Sequence, residues 1–444
     1  MHLVARLNPS LRRPVFILLA TVLILILSAL VNVLVHRYSG PASSPLAGPP
    51  PAPVELSAES TIARLQGILR DNPENTYAYA QLGLALLQRM RETGDVALYA
   101  QADMAFAEAL KRDPQHLDAL VGQGILALTR HDFSGALRWA EQAQAINPYR
   151  AGIVGIKVDA FVELGRYEEA VAATQTMVDL RPDLSSYSRV SYLRELYGDT
   201  PGAIDAMQAA VDAGVPGTES WLWVQTQLGH LYFNSGDWQR AEGSYQEALR
   251  FRPDYVYALA GLGRVRAAQG QMDEAIELLT RVTNVMPLPE FVITLGDLYQ
   301  ASGQAERAAQ QYQLVGAIEK LYEANGVDVD LEMALFSADH DQNLEATLAR
   351  ARKAWAARPS IHGADTLAWA LYKVGAYDEA KSYSDQALKL GTKDALKLFH
   401  AGMIAYRLGQ KDQARTYLEQ ALAINPYFSI LYADEARETL EELQ

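Results

Sequence analysis

No cysteine occurs anywhere in the 444 residues, which excludes disulfides, thiolate zinc sites and a cysteine nucleophile. The compartment stays open on this ground, because an exported protein need not carry disulfides. Also missing are the H-E-x-x-H helix, the G-x-S-x-G elbow and a phosphate-cradling glycine loop. The eight histidines are scattered without i, i+4 pairing. Gly122-x-Gly124 and Gly261-x-Gly263 resemble pieces of a dinucleotide loop, but both fall inside helical patterns at packing positions. Asp339-His340-Asp341 could gather a cation. Three adjacent side chains rarely converge on one ion, however, and aspartate is a common helix N-cap. The expectation is no catalytic residue, no metal and no cofactor.

Positive charge is in short supply. The chain carries 39 basic and 53 acidic side chains, for a net charge of −14. Arg6, Arg12, Arg13 and Arg37 lie in the first 40 residues without any acid, so the remainder holds 35 basic and 53 acidic groups. Such a body repels phosphate backbones, which argues against nucleic-acid binding, and it will not lie flat on anionic lipid.

What is present begins with a run of 22 uncharged residues from Pro14 to Val35. As a helix this run is roughly 33 Å long, enough to cross a bilayer core of about 30 Å. The basic segment 1–13 precedes it, which predicts a single-pass span over 14–36 with the N-terminus inside. Its length exceeds the roughly 7–15 apolar residues of a signal peptide, so an uncleaved anchor is favoured over a cleaved leader. The segment 37–56 is proline-rich, with six prolines between Ser39 and Pro53, and reads as an extended spacer. The basic N-terminus and single anchor look bacterial.

From Leu222 to Pro253 the apolar positions recur at the helical period in two runs, split by Gly236-Asp237 and stopped by Pro253. Small residues (Gly229, Ala241, Ala248) mark close helix contacts, and Leu228, Tyr232 and Tyr245 fill the space between turns. Prolines at 114, 148, 182 and 216 follow one another at 34-residue intervals, then Pro253 after 37 and Pro287 after 34. One such hairpin cannot bury its apolar faces alone, so the period predicts stacked copies.

This pattern of L-G-x-x-Y, A-x-x-x-Y/F-x-x-A and a terminal proline resembles the tetratricopeptide repeat (TPR) family. The resemblance implies an all-α solenoid of antiparallel helix pairs. A capping helix is expected over 57–73, about ten repeats over 74–426 and a closing helix over 427–444. Repeat one has an insertion near Arg91–Leu98, repeat seven a second helix running to Asn325-Gly326, and repeat eight keeps only its period and Pro359. Val215-Pro216-Gly217 forms a longer linker and a potential flex point.

In the TPR family, first helices line a concave groove. Its positions here are Tyr192, Trp223, Thr226, His230, Phe233, Tyr257, Arg264, Asp297, His362, Asp365, Trp369, Tyr372, Phe399, Met403 and Tyr406. Aromatics with a few polar groups suit recognition of protein or peptide partners. The family's basic clamp for acidic C-termini is not evident, Arg264 being the main cation. The resulting expectation is a non-enzymatic, membrane-anchored scaffold with its repeats outside the cytoplasm, or alternatively an accessory subunit of an envelope enzyme, maturation or transport complex.

Overall fold

A helix hairpin turns back most cheaply where one residue can take positive φ, and glycine does so without a Cβ penalty. Gly165, Gly198, Gly236, Gly270, Gly303, Gly375 and Gly409 all hold φ between 68° and 82°. Around Gly165 the amide of Arg166 reaches back to the Phe161 carbonyl and that of Gly165 to Val162, which satisfies the last carbonyls of the helix. In repeats two and eight His131 (φ 61°) and Asp341 (φ 52°) take the same place.

The computed structural model describes residues 57–443. The basic segment 1–13, the span expected over 14–36 and the linker to residue 56 lie outside the described residues. Among the described residues there are 22 helices and no strand, and no helix is long and apolar enough to cross a membrane.

Helix α1 (Ala58–Asp71) starts on the Ser57 cap and packs on the first of ten helix pairs. These are α2–α3 (Thr76–Thr93, Ala97–Arg112), α4–α5 (Leu117–Thr129, Phe133–Ile146), α6–α7 (Ala151–Glu163, Tyr167–Leu180), α8–α9 (Leu184–Leu196, Thr200–Ala213) and α10–α11 (Glu219–Asn234, Trp238–Phe251). The second five are α12–α13 (Val256–Ala268, Met272–Val285), α14–α15 (Pro289–Ala301, Ala305–Ala324), α16–α17 (Asp330–Asp339, Leu344–Ala357), α18–α19 (Ile361–Lys373, Tyr377–Ala387) and α20–α21 (Ala395–Arg407, Lys411–Ile424). The insertion near Arg91 lengthens α2 to 18 residues, and α15 runs 20 residues to its Asn325 cap.

The packing follows the small-residue pattern. Ala102, Ala136, Ala170, Ala203, Ala241, Ala275, Ala308, Ala380 and Ala414 are each 0% exposed, so every repeat but the eighth, which has Thr347 there, makes a contact where nothing larger than a methyl fits. The Tyr245 ring is clasped between Gly229 and Gly261, and a Cβ on either glycine would collide with it. Gly122 meets Phe106 in the same way and Gly124 packs on Ile156, so both G-x-G fragments are packing sites.

The chain end departs from the expected closing helix. Only Ala433–Glu442 is helical (α22), because the Ser429 hydroxyl accepts the Leu431 and Tyr432 amides and turns residues 427–432 into a hook before the helix begins.

Contacts between distant repeats set the overall winding. His131 Nδ1 donates to the Asp328 carbonyl (2.6 Å), and Arg358 Nε donates to Glu163 (2.6 Å). The Ile361 amide donates to the Tyr167 hydroxyl (2.7 Å), and Asn425 Nδ2 to the Phe233 carbonyl (3.0 Å). Their sequence separations are 197, 195, 194 and 192 residues. Roughly five to six repeats of about 34 residues therefore complete one superhelical turn, and the next turn lies directly on it. The concave face is a lumen within stacked turns rather than an open groove.

Candidate functional site: the lumen of the superhelix

First helices face the lumen, as the repeat geometry requires, but the fifteen expected positions divide into three groups. Tyr192, Trp223, His230, Phe233, Tyr257, Arg264, Asp297 and His362 line internal chambers. Thr226, Asp365, Trp369, Tyr372, Phe399 and Met403 are buried, and Tyr406 donates to Glu442 (2.7 Å). The expectation that the buried set forms an open recognition surface is corrected here. Large aromatics and half-apolar faces look the same from sequence whether they meet solvent or a neighbouring helix.

The chain's own end covers that surface. Phe399 stacks on Tyr432 (5.0 Å between centroids) and also meets Phe428 (5.5 Å), while Trp369 meets Tyr432 edge-on (5.5 Å). Thr439 reaches the Met403 sulfur at 3.7 Å, and Trp369 Nε1 donates to Asp339 Oδ1 (2.8 Å), which also accepts from Tyr432 (3.1 Å). The concave positions of the ninth and tenth repeats thus bind the hook and α22. Asp365 accepts from His400 Nδ1 (3.1 Å), an internal pair sealed beneath this cover.

Asp339, His340 and Asp341 point to three different partners. Asp339 is held as above, His340 Nε2 donates to Asp297 (2.9 Å), and Asp341 accepts from Lys373 (2.9 Å). Among the described residues no group of three His, Asp or Glu side chains is placed to hold a metal.

Two chambers divide the lumen at α12. The larger, about 1270 Å³, lies toward the N-terminal repeats, between α2, α8, α10 and α12, with Arg91, Arg189, Trp223, Tyr257 and Glu290 in its wall. Trp223 is 45% exposed there and meets Tyr257 edge-on at 5.4 Å; the Tyr257 hydroxyl donates to the Arg91 carbonyl (3.4 Å). The second chamber, about 640 Å³, shares Trp223, Tyr257 and Glu290 with the first and is walled on its far side by hook residues Tyr427–Tyr432. A third, about 330 Å³, adjoins it through Arg264, Leu396 and Phe428.

The electrostatics are those of enclosed space. Burial pulls His230 down to about 3, helped by the nearby Arg264 cation, so its imidazole is neutral. Its Nδ1 lies 2.7 Å from the Tyr245 hydroxyl. Burial and then Lys397 lower His362 to about 3, and His362 Nε2 lies 3.1 Å from the Tyr192 hydroxyl. Burial, then Asp394, lifts Glu195 to about 7. Burial also raises Glu290. The Glu163–Arg358 and Asn425–Phe233 contacts that close the lumen had no signal in the sequence, since nothing in a single repeat marks them.

Models of the tetratricopeptide repeat match residues 98–151, 226–285 and 395–428. Among curated relatives, anaphase-promoting complex subunit 7 of Arabidopsis thaliana is 23% identical over 244 residues, 55% of this chain and 43% of that protein. The cellulose synthase operon protein C of Komagataeibacter xylinus is 26% identical over 289 residues, 63% of this chain and 19% of that protein. The chain thus spans less than half the length of either relative. A chain in the crystal structure of an APC/C hetero-tetramer aligns over 87% of this chain and 83% of its own, with 17% identity and a TM-score of 0.40.

Proposed function

We propose that this chain of tetratricopeptide repeats is a non-enzymatic scaffold that takes a partner protein's segment into the larger chamber. The observation that carries the reading is the Trp223–Tyr257 pair, a large rigid aromatic surface left open in the chamber wall. Aromatic anchors of this kind supply most of the energy in partner recognition. The repeats hold them on rigid first helices. The apolar run 14–36 would anchor the scaffold to a membrane, with the repeats on the outer side, on the strength of the arginines that precede it.

A second reading, an accessory subunit of an envelope enzyme complex, draws on the similarity to the Komagataeibacter xylinus cellulose synthase operon protein. Both readings require the open aromatic pair. Alanine at Trp223 and Tyr257 together should abolish stoichiometric co-purification of the partner from detergent-solubilised native membranes while leaving the melting temperature close to wild type. Unchanged recovery would remove the chamber as the binding site.

A further inference from the structure

Arg264 lies in the lumen wall where the second and third chambers meet. Its guanidinium sits 4.4 Å over the face of Phe233. Arginines elsewhere along the lumen are engaged: Arg189 forks onto Asp159, Arg252 pairs with Glu219, and Arg437 pairs with Asp434. Among the described residues Arg264 has neither an ion-pair partner nor a side-chain hydrogen bond. Four carboxyl groups line the second chamber and none pairs with Arg264: Asp434 holds Arg437, and Glu290, pushed up by burial, forms no ion pair among the described residues. Asp297 is occupied by Tyr312 and His340, and Asp339 by Trp369 and Tyr432. A partly buried guanidinium without a counter-charge is costly, and an unpaired charge in a cavity wall is a common sign of a ligand site.

A second donor faces the same space. The buried Tyr245 hydroxyl lies 2.7 Å from His230 Nδ1, and donation of the phenol proton to that nitrogen gives the hydroxyl a partner for its O–H. In that arrangement the neutral imidazole carries its own proton on Nε2, and His230 lies in the chamber wall with Arg264. The remaining wall mixes apolar and aromatic side chains, including Phe291, Phe428 and Ile430, with the carboxyl groups of Glu290, Asp297, Asp339 and Asp434. At about 640 Å³ the chamber falls within the usual range of roughly 300–1,000 Å³ for small-molecule sites.

We propose that this chamber binds a small organic carboxylate with an apolar or aromatic body, its carboxylate on the edge of Arg264 and the His230 Nε2–H. The face of the guanidinium is already taken by Phe233, which leaves its edge, the side that matches a carboxylate with two parallel hydrogen bonds. The apolar walls favour such a ligand over a fully hydrated phosphate. The hook and the stacked turns exclude a bulky one. Its polar end, Arg264 and His230, lies outside the larger chamber, although Trp223 and Tyr257 stand in the wall that the two chambers share, and the proposal does not depend on the partner-segment reading.

The test uses the full chain in detergent, with phenylacetate, indole-3-acetate and hexanoate as probes, followed by calorimetry and tryptophan fluorescence. The acids should bind and perturb Trp223 fluorescence, and their uncharged amides should bind about 10- to 100-fold more weakly, as loss of a charged hydrogen-bond pair dictates. Arg264→Met should lose the acid preference while remaining folded, and Arg264→Lys should keep part of it. Equal binding of acid and amide to the wild-type chain would overturn the proposal without recourse to any variant. So would an equal response to inorganic phosphate, or binding only of a peptide with a free C-terminus.

Discussion

The side chains of Glu163 and Arg358, 195 positions apart, meet at 2.6 Å where one turn of the superhelix rests on the next. Arg358 also holds Glu332 (2.8 Å) and lies over the Phe133 ring (5.1 Å), so one side chain joins three repeats. A solenoid is ordinarily stabilised by neighbours alone and behaves as a one-dimensional stack. Contacts at this separation make the stack cooperative across its length.

Arg358→Ala should therefore cost about 1–3 kcal/mol, the range for hydrogen bonds to charged groups. It should also broaden the unfolding transition and enlarge the radius of gyration in small-angle scattering. Arg358→Lys should rescue little, since a single ammonium cannot fork between Glu163 and Glu332. Wild-type compactness in the alanine variant would show that the turns do not need this clasp.

Two glycines separate backbone strain from contact between turns. Gly165 (φ 68°) and Gly375 (φ 81°) occupy the same hairpin position. A Cβ on Gly165 would collide with the Pro359 carbonyl of the next turn, whereas one on Gly375 meets nothing within 4 Å. Gly375→Ala should cost about 1–2 kcal/mol, from the left-handed conformation alone. Gly165→Ala should cost clearly more in urea unfolding. Equal losses would mean the turns are free to part.

Two tryptophans should respond in opposite ways. Trp369 is 1% exposed and stacked between Tyr372 and His400 (4.6 and 4.1 Å), so Trp369→Ala should cost about 3–5 kcal/mol. Trp223→Ala should cost about 1 kcal/mol or less, because its ring is open to the chamber. Denaturant melts of the two variants decide whether the hook has converted the ninth repeat from surface to core.

Stability should fall on both sides of a mildly acidic optimum. Glu195 titrates near 7 in the folded chain against about 4.5 when unfolded, so the native state binds the extra proton and stability drops as pH rises through that window. His230 and His362 titrate near 3 when folded against about 6.5 unfolded, so the unfolded state binds the extra protons and stability drops as pH falls below about 6.5. Glu195→Gln should raise the melting temperature at pH 8 and have little effect at pH 4.5. His230→Gln with His362→Gln should reduce the loss between pH 7 and 5.

The topology can be tested because the chain has no cysteine. A cysteine at Ser43 or at the exposed Ser382 should react with a membrane-impermeant maleimide on intact cells. Protection until lysis would place the repeats on the cytoplasmic side. Ser429 is unsuited to this use, since its hydroxyl holds the hook together.

Much of the architecture was legible because each repeat encodes itself. Gly229 beside Tyr245, Ala241 opposite the first helix and Pro253 at the boundary are local requirements of one hairpin, met within about 34 residues and then repeated. The eighth pair forms with almost none of the motif, because its neighbours supply the apolar faces it needs. The site was legible only as a face. That first helices carry Trp223, Tyr257 and Arg264 inward follows from the period, but the fate of each inward residue does not.

Local pattern thus determined the all-α solenoid, its helix pairs and their turns. Tertiary structure alone decided that the concave face is enclosed. The superhelical pitch is the sum of many small angles between repeats, and no residue records it until Glu163 meets Arg358 and Asn425 meets the Phe233 carbonyl. It decided also that Trp369, Phe399 and Met403 receive the chain's own end, while Trp223 stays open and Arg264 stays unpaired. Side chains with the same spacing and chemistry part company there because burial depends on what arrives from nearly two hundred residues away or from the last turn of the chain.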